Sequence, residues 1–296
     1  MAHTRRDFLK TGIAATTMLS GLGAGAARAA AKRSATDWVT LGRSGVKVTR
    51  LGFGTGTFSG RVQRELGQEE FTRLVRHAYD RGIRFFETAQ SYGGMHQMLG
   101  IALKGLPRDS YRLMTKMTVR PDTDAAATID RFRKELQTEY FDILLLHYMH
   151  SPTWASDLAR QQDEFSEAKS KKIILAKGAS VHGLPTLRTF PGNQWLDIAM
   201  IRMNHRGTKM DAEDFNTNGL GNVEEVVRHT RKVHEEGMGV ISMKLAGEGQ
   251  FTTREERQKA LKFAMGLGVV DTVTIGYKST AEIDEAIENM DLALNG

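Results

Sequence analysis

Phe141-Asp142-Ile143-Leu144-Leu145-Leu146-His147 is a short apolar run that ends in a polar residue. Four of its hydrophobic residues, 143–146, are consecutive, which is typical of a strand that is buried on both faces of a parallel sheet. Similar runs recur on both sides of it, at 50–55, 84–88, 111–116, 172–180, 197–204, 239–245 and 272–276. The sequence therefore predicts eight buried strands.

A predicted helix follows each of these strands. In 221–236, for example, Val223, Val226 and Val227 recur at helical spacing between charged residues. The other helical stretches are 68–81, 94–104, 124–138, 155–170, 184–189, 254–267 and 280–294. Alternating strands and helices predict a parallel sheet, and eight units in about 240 residues favour a closed (β/α)8 TIM barrel. The segment Gly52–Gly56 does not continue as G-x-G-x-x-G into a helix, which argues against a Rossmann fold.

The barrel is expected to be preceded by a hairpin and by an export signal. Residues 38–49 predict a β-hairpin that plugs the N-terminal mouth of the barrel. Residues 1–29 read as a signal peptide, 30–37 as a linker, and 38–296 as the single barrel domain.

The proposed signal contains paired arginines, Arg5-Arg6, followed by a mildly apolar run over 11–27 and the small-residue site Ala27-Arg28-Ala29. This order is typical of the twin-arginine export signal. It predicts the export machinery as a partner and a periplasmic or otherwise exported location. The apolar run falls short of the ~20 residues that span a bilayer, so no stable membrane insertion is expected.

Composition excludes several classes of function. The 296 residues include no cysteine, which rules out disulfides and thiolate metal sites. The formal charge of +6 is not gathered into a basic stripe with interleaved aromatic residues, so nucleic-acid binding is not expected.

Polar residues cluster where three neighbouring strands end. Glu87 ends the second barrel strand and Tyr92 follows it, while Lys116 ends the third and His147 the fourth. Functional side chains of a barrel lie at the C-terminal ends of its strands. The sequence therefore predicts that these four side chains meet on one face.

These residues lie in blocks that resemble those of the aldo-keto reductase family. Phe86-Glu87-Thr88-Ala89-Gln90-Ser91-Tyr92-Gly93 resembles its F-D-T-A-x-x-Y-G block, and Tyr140–His147 resembles Y-x-D-L-x-L-x-H. Thr115-Lys116 is similar to the catalytic lysine block, and 177–182 to the fifth-strand I-G-x-S-x-H. The resemblance covers about residues 38–295.

The resemblance implies hydride transfer between nicotinamide and a carbonyl or an alcohol, with an aldehyde, ketone or sugar as the small-molecule substrate. Tyr92 would be the general acid and base, and Lys116 would lower its pKa. His147 would orient the substrate oxygen, and Glu87 would hold Lys116 in place.

The resemblance also implies a dinucleotide site at the loops after the seventh and eighth strands, where barrels bind phosphate. Lys278 and Ser279 favour NADP(H), with NAD(H) as the alternative. The predicted cofactor-binding residues are Gly54, Thr55, Ser180, Asn204, Met243, Lys244, Leu245, Gly276, Lys278, Ser279 and Glu282.

The chain departs from the family pattern at several positions. Glu87 stands where the family has aspartate, and Met200 and Met243 align with family positions that hold the nicotinamide ring. Met243-Lys244 is similar to the branch that often carries a cysteine-rich iron–sulfur tail, and the given sequence contains no such tail. Phe58, Tyr148 and Trp154 are candidates to line the substrate pocket.

Two other functions stay open at this point. His147 and His150 are spaced H-x-x-H, and with His182 they could form the site of a metal-dependent barrel hydrolase or sugar isomerase. Alternatively, the barrel could be a nicotinamide-binding sensor module with little turnover.

Overall fold

The eight predicted strands pair in parallel and close on themselves. In this computed structural model, which describes residues 32–214 and 219–296, the strand order is β10-β3-β4-β5-β6-β7-β8-β9. The strands are β3 (Leu51–Gly54), β4 (Phe85–Glu87), β5 (Arg112–Met117), β6 (Phe141–Met149), β7 (Ile174–Val181), β8 (Ile198–Arg202), β9 (Gly239–Met243) and β10 (Thr272–Gly276). The prediction of a (β/α)8 barrel is confirmed. The predicted export signal, 1–29, lies outside the described residues.

The helices surround the barrel in chain order. They are α1 (Arg61–Arg64), α2 (Gly67–Asp80), α3 (Met95–Leu103), α4 (Ala125–Leu136), α5 (Trp154–Asp157), α6 (Ala159–Ser170), α7 (Leu184–Leu187), α8 (Val223–Glu235), α9 (Arg254–Gly266) and α10 (Thr280–Asn295). The sequence did not predict α1. The predicted helix 155–170 is divided because Leu158 has φ −116°, outside the helical range. None of the helices in the described ranges is long and apolar enough to cross a membrane.

The consecutive apolar residues of the strands pack alternately into two hydrophobic cores, one inside the barrel and one between the barrel and its helices. Ile143 and Leu145 of β6 point into the barrel, where they pack with Phe85, while Leu144 and Leu146 belong to the larger core shared with the helices. Successive strand residues face opposite sides of a sheet, so a strand buried on both sides needs an unbroken apolar run. This requirement explains the pattern from which the barrel was predicted.

The predicted hairpin closes the N-terminal mouth of the barrel. Its strands, β1 (Trp38–Thr40) and β2 (Lys47–Thr49), are antiparallel, and Leu41 packs into the barrel interior. Gly42 has φ +45°, and a Cβ there would lie 2.3 Å from the carbonyl oxygen of Gly237. Only glycine permits this close approach of the plug to the start of β9.

Two buried side chains shape the long connection between β8 and α8. The Asn204 amide donates to the carbonyl of Thr208 at 2.7 Å, and its oxygen accepts two backbone N–H groups. Asp211 accepts from the backbone N–H of Gly183 at 2.6 Å and from Nε of Arg202 at 3.0 Å. These bonds fix the described part of the connection beside the ends of β7 and β8.

Candidate active site

Three neighbouring strands deliver their polar residues to the C-terminal mouth of the barrel. Glu87 ends β4, and Lys116 and His147 lie near the ends of β5 and β6. Tyr92 lies in the turn between β4 and α3. The Lys116 Nζ atom is 4.9 Å from the centre of the Tyr92 ring, and the Tyr92 and His147 ring centres are 5.6 Å apart. The structure thus brings together all four residues.

Lys116 and Glu87 form a buried ion pair. The Lys116 ammonium contacts Oε1 of Glu87 and donates a hydrogen bond to the carbonyl of Thr88 at 2.9 Å. Burial, and then the charge on Lys244, lower the pKa of Lys116, whereas the Glu87 carboxylate in contact with it favours the ammonium form. Gly54 makes room for the longer acidic side chain, because a Cβ at that position would lie 2.9 Å from Oε2 of Glu87.

The Tyr92 hydroxyl is enclosed although the residue as a whole is half-buried. A Cβ at Gly56 would lie 2.6 Å from the hydroxyl oxygen, so a glycine at position 56 is needed for the phenol to reach its place. Burial, and then the negative charge of Glu248, raise the pKa of Tyr92 above its ordinary value. Tyr92 is therefore protonated at neutral pH in this structure.

His147 is held as a neutral imidazole. Its Nδ1 lies 3.2 Å from the hydroxyl oxygen of Ser91. Burial, followed by the charges of Lys116 and Lys244, lowers the pKa of His147 well below its usual value. A neutral imidazole with one nitrogen occupied by Ser91 keeps the other for a ligand.

A cavity of about 570 Å³ extends from Tyr92 to the start of α10. Seven of the predicted cofactor-binding residues line it, namely Gly54, Met243, Lys244, Leu245, Gly276, Lys278 and Glu282. Met200 and Phe58 also line it. The volume lies within the ~300–1,000 Å³ range of small-molecule sites.

Four other predicted cofactor residues bind neighbouring parts of the chain. Ser180 accepts a hydrogen bond from the backbone N–H of Tyr148 at 3.0 Å, and Ser279 caps α10 by accepting from the N–H of Glu282 at 3.3 Å. The N–H of Thr55 donates to the carbonyl of Glu87 at 3.1 Å. The Asn204 amide is used within the β8–α8 connection, as described above.

Of the three candidates for the substrate pocket, two are exposed and one is buried. Phe58 is exposed at the cavity mouth, with φ +48°. Tyr148 is also exposed, with φ +64°, and its ring centre lies 4.3 Å from that of His182. Trp154 does not line the cavity, because its indole is buried against Phe190 and donates to Thr189 at 2.9 Å. Its position in α5 faces the outer core, away from the cavity.

Sequence reasoning missed a second ion pair at the cavity. Glu248 lies in the Gly247–Gly249 turn with φ +57°, and its Oε1 is 2.7 Å from the Nζ of Lys244. Both residues line the cavity; the charge of Glu248 raises the pKa of Tyr92, and the charge of Lys244 lowers the pKa of Lys116. The glycines on either side of Glu248 were the available signal, since they permit the left-handed turn that places it there.

The histidines give no support to a metal site. In 32–214 and 219–296, no group of three or more histidine, aspartate or glutamate side chains is arranged to hold a metal ion. His147 and His182 are neighbours, with ring centres 6.5 Å apart, while the His150 ring packs near Tyr148.

Comparisons with known proteins agree with the geometry. A sequence model of the aldo/keto reductase family matches residues 50–290. A relative from Glycine max, named probable aldo-keto reductase 1, is 32% identical over 266 residues, which cover 86% of this chain and 68% of that protein. An L-galactose dehydrogenase from Arabidopsis thaliana is 37% identical over 117 residues, which cover 36% of either chain. A solved aldo-keto reductase from Bacillus halodurans, in its holo form, has the same fold, with a TM-score of 0.68, 20% identity, and 86% and 90% of the two chains covered.

The charge of Glu248 is expected to control the ionisation of Tyr92. In Glu248→Gln, loss of the carboxylate and release of the Lys244 charge both favour the tyrosinate, so Tyr92 ionises at lower pH than in the unaltered protein. Tyrosinate absorbance after rapid pH jumps measures this, with the corresponding Tyr92→Phe proteins subtracted to isolate Tyr92. Glu167→Gln, which removes an exposed carboxylate from α6, serves as the control. An unchanged or higher ionisation pH in Glu248→Gln would show that Glu248 does not act on Tyr92.

Proposed function

This chain belongs to the aldo/keto reductase family, and we propose that it interconverts a carbonyl and an alcohol with a nicotinamide dinucleotide as cofactor. The observation that carries the proposal is the meeting of Tyr92, Lys116, His147 and Glu87, of which Tyr92 and Glu87 line a cavity of about 570 Å³. When bound, the nicotinamide supplies or accepts the hydride. The chain itself must supply or remove the proton and orient the substrate oxygen.

Tyr92 is the group we assign to the proton. Because its pKa is raised by burial, the phenol is protonated at neutral pH and acts as the acid when a carbonyl is reduced. In the reverse direction the tyrosinate must form, and the nearby Lys116 ammonium favours it. The Glu87 carboxylate keeps the ammonium in place.

His147 is assigned to orientation of the substrate oxygen. Its depressed pKa leaves it neutral, so it donates one hydrogen bond without competing with Tyr92 as an acid. The two rings are nearly perpendicular, at 86°. A carbonyl oxygen placed between the phenol and the imidazole would accept a hydrogen bond from each.

The residues along the cavity fit a dinucleotide. Gly54 and Gly276 line the cavity without side chains of their own, and Lys244 brings a positive charge to the wall. At the far end, the N-terminus of α10, capped by Ser279, is the kind of site that binds phosphate in barrels. The sequence pattern of Lys278 and Ser279 favours NADP(H), with NAD(H) as the alternative.

We propose aldehydes, ketones or sugars as substrates. The dehydrogenase among the relatives is named for a sugar, L-galactose, and its match with this chain covers 36% of that protein. Phe58 at the cavity mouth offers an apolar surface for the substrate. A sensor module that binds dinucleotide with little turnover is the alternative to an enzyme.

We also propose that residues 1–29 direct export by the twin-arginine route, on the basis of Arg5-Arg6 and the small-residue site. That route carries folded proteins, which suits a cofactor acquired before export and then held tightly.

Replacing the proton donor tests the catalytic assignment. Tyr92→Phe is expected to reduce kcat for carbonyl reduction by about 10²–10⁴-fold, because the general acid is removed, while dinucleotide affinity stays unchanged. Dinucleotide oxidation with a panel of aldehydes and aldoses provides the assay. Tyr79→Phe, which removes a phenol bonded to Ser110 on the outside of the barrel, serves as the control. Equal kcat in both variants would contradict the role of Tyr92, and binding without any turnover by the unaltered protein would favour the sensor.

A methyl group at position 56 tests the placement of the same hydroxyl. In Gly56→Ala the Cβ would lie 2.6 Å from the Tyr92 oxygen, so the phenol must shift and kcat is expected to fall by at least about tenfold. Gly93→Ala is the matched control, because a Cβ there has no heavy atom within 4 Å. Unchanged kcat in Gly56→Ala would show that the hydroxyl position does not matter for the reaction.

Substitution of both arginines tests the export proposal. The double variant Arg5→Lys with Arg6→Lys is expected to remain inside the cell, because the paired arginines are the feature that the route reads. Immunodetection in cell fractions measures the distribution. Export of the double variant at the original level would contradict the proposal.

A further inference from the structure

The charged side chains at the α10 end of the cavity, away from Tyr92, affect which dinucleotide the chain binds. Since Tyr92 must meet the nicotinamide, the adenosine half of a dinucleotide extends towards Lys278, Glu282 and the α9–α10 side of the cavity. This step rests on the proposed function. The groups at that end therefore contact the adenosine ribose, where NADP(H) carries a 2′-phosphate and NAD(H) a hydroxyl.

Glu282 presents a carboxylate at this end. Its Oε2 accepts a hydrogen bond from the backbone N–H of Lys278 at 2.9 Å, which fixes the side chain across the start of α10. Its Oε1 lies 3.9 Å from the Nζ of Lys278, beyond hydrogen-bonding distance. That oxygen is available to accept a hydrogen bond from a ribose hydroxyl.

The two cations at this end are poorly placed to bind a phosphate. Arg257 makes two hydrogen bonds to Glu285, at 2.7 and 2.8 Å, and a third donor group binds the carbonyl of Thr252 at 2.8 Å. Lys278 is largely exposed and lies beside the Glu282 carboxylate. The positive charge of each cation is therefore offset by a neighbouring carboxylate, Glu285 for Arg257 and Glu282 for Lys278.

The cavity as a whole carries no excess of positive charge. Its lining contains four carboxylates, Glu87, Glu248, Glu282 and Glu285, and three cations, Lys244, Arg257 and Lys278. A 2′-phosphate adds about −1.5 to −2 charges at neutral pH to a dinucleotide that is already anionic. A carboxylate next to that phosphate repels it, whereas the same carboxylate binds a ribose hydroxyl.

We infer that this chain selects NAD(H) over NADP(H), with Glu282 as the residue that sets the preference. Glu282 accepts a hydrogen bond from the 2′-hydroxyl of NAD(H) and repels the 2′-phosphate of NADP(H). The preference expected from the lysine–serine pattern of the sequence is thereby reversed, because the carboxylate that follows Ser279 in the first turn of α10 offsets the lysine charge.

Binding titrations test the inference without reference to turnover. Full-length protein freed of bound nucleotide is titrated with NADH and with NADPH, and nicotinamide fluorescence gives both Kd values. The unaltered protein is expected to bind NADH at least about tenfold more tightly. In Glu282→Gln the neutral amide still accepts from the Lys278 N–H, so the fold is kept while NADPH affinity rises about tenfold or more. High salt is expected to reduce the discrimination against NADPH in the unaltered protein.

Matched variants separate the possible outcomes. Glu167→Gln removes an exposed carboxylate paired with a lysine four residues away, as Glu282 is near Lys278, and should leave both Kd values unchanged. Tighter NADPH than NADH binding by the unaltered protein would overturn the inference and leave the proposed function standing. An unchanged ratio in Glu282→Gln would overturn the role of Glu282. Binding of neither dinucleotide would overturn the proposed function itself.

Discussion

The candidate site depends on a lysine side chain, Lys116, that is buried in the protein interior. Lys116 is fully buried, and an isolated ammonium in such surroundings is strongly unfavourable. The Glu87 carboxylate compensates it, and removing one partner of such a pair typically costs about 3–5 kcal/mol. The longer acidic side chain fits because Gly54 on the adjacent strand has no Cβ. The pair thus explains why glycine occupies position 54 in β3. It also explains why the ammonium lies 4.9 Å from the centre of the Tyr92 ring.

A second ion pair, between Lys244 and Glu248, also affects the ionisation of these groups. Glu248 raises the pKa of Tyr92, whereas its partner Lys244 lowers the pKa of Lys116 and of His147. Glu248 disfavours the tyrosinate, so in the proposed reaction the Lys116 ammonium has to act against both burial and this carboxylate.

Much of this could be predicted from the sequence, because the patterns involved are local. Each strand bound agrees with its prediction to within two residues, since unbroken apolar runs and the helical periods between them are read directly from the chain. The meeting of Lys116 and His147 followed from strand order alone, because parallel strands bring their ends to one edge. The role of Asp142, at the start of β6, is not visible in the sequence pattern. Asp142 accepts a hydrogen bond from the N–H of Leu113 at 2.9 Å and pairs with Arg108. These contacts join β5 to β6 at the N-terminal end of the barrel.

What could not be predicted depends on contacts between distant segments. Arg257 and Glu285 bind each other across two helices, so no short pattern shows that Arg257 is engaged. Trp154 looked like a pocket residue because it follows β6, but the orientation of α5 turns it into the outer core. Glu248 enters the site through a left-handed turn, which hydrophobic periodicity does not report.

If the buried lysine enables proton transfer by Tyr92 beside a bound nicotinamide, the coupled transfer of hydride must also depend on Lys116, and isotope transfer measures this. Reduced dinucleotide deuterated at the transferring position is mixed with the protein and a carbonyl substrate, and the alcohol is analysed by mass spectrometry. The unaltered protein is expected to place one deuterium in each product molecule. Lys116→Met is expected to form little or no labelled product on the same time scale, although the dinucleotide still binds. Labelled product formed at an equal rate by both proteins would contradict this role of Lys116, and no labelled product from the unaltered protein with any carbonyl would contradict the proposed reaction.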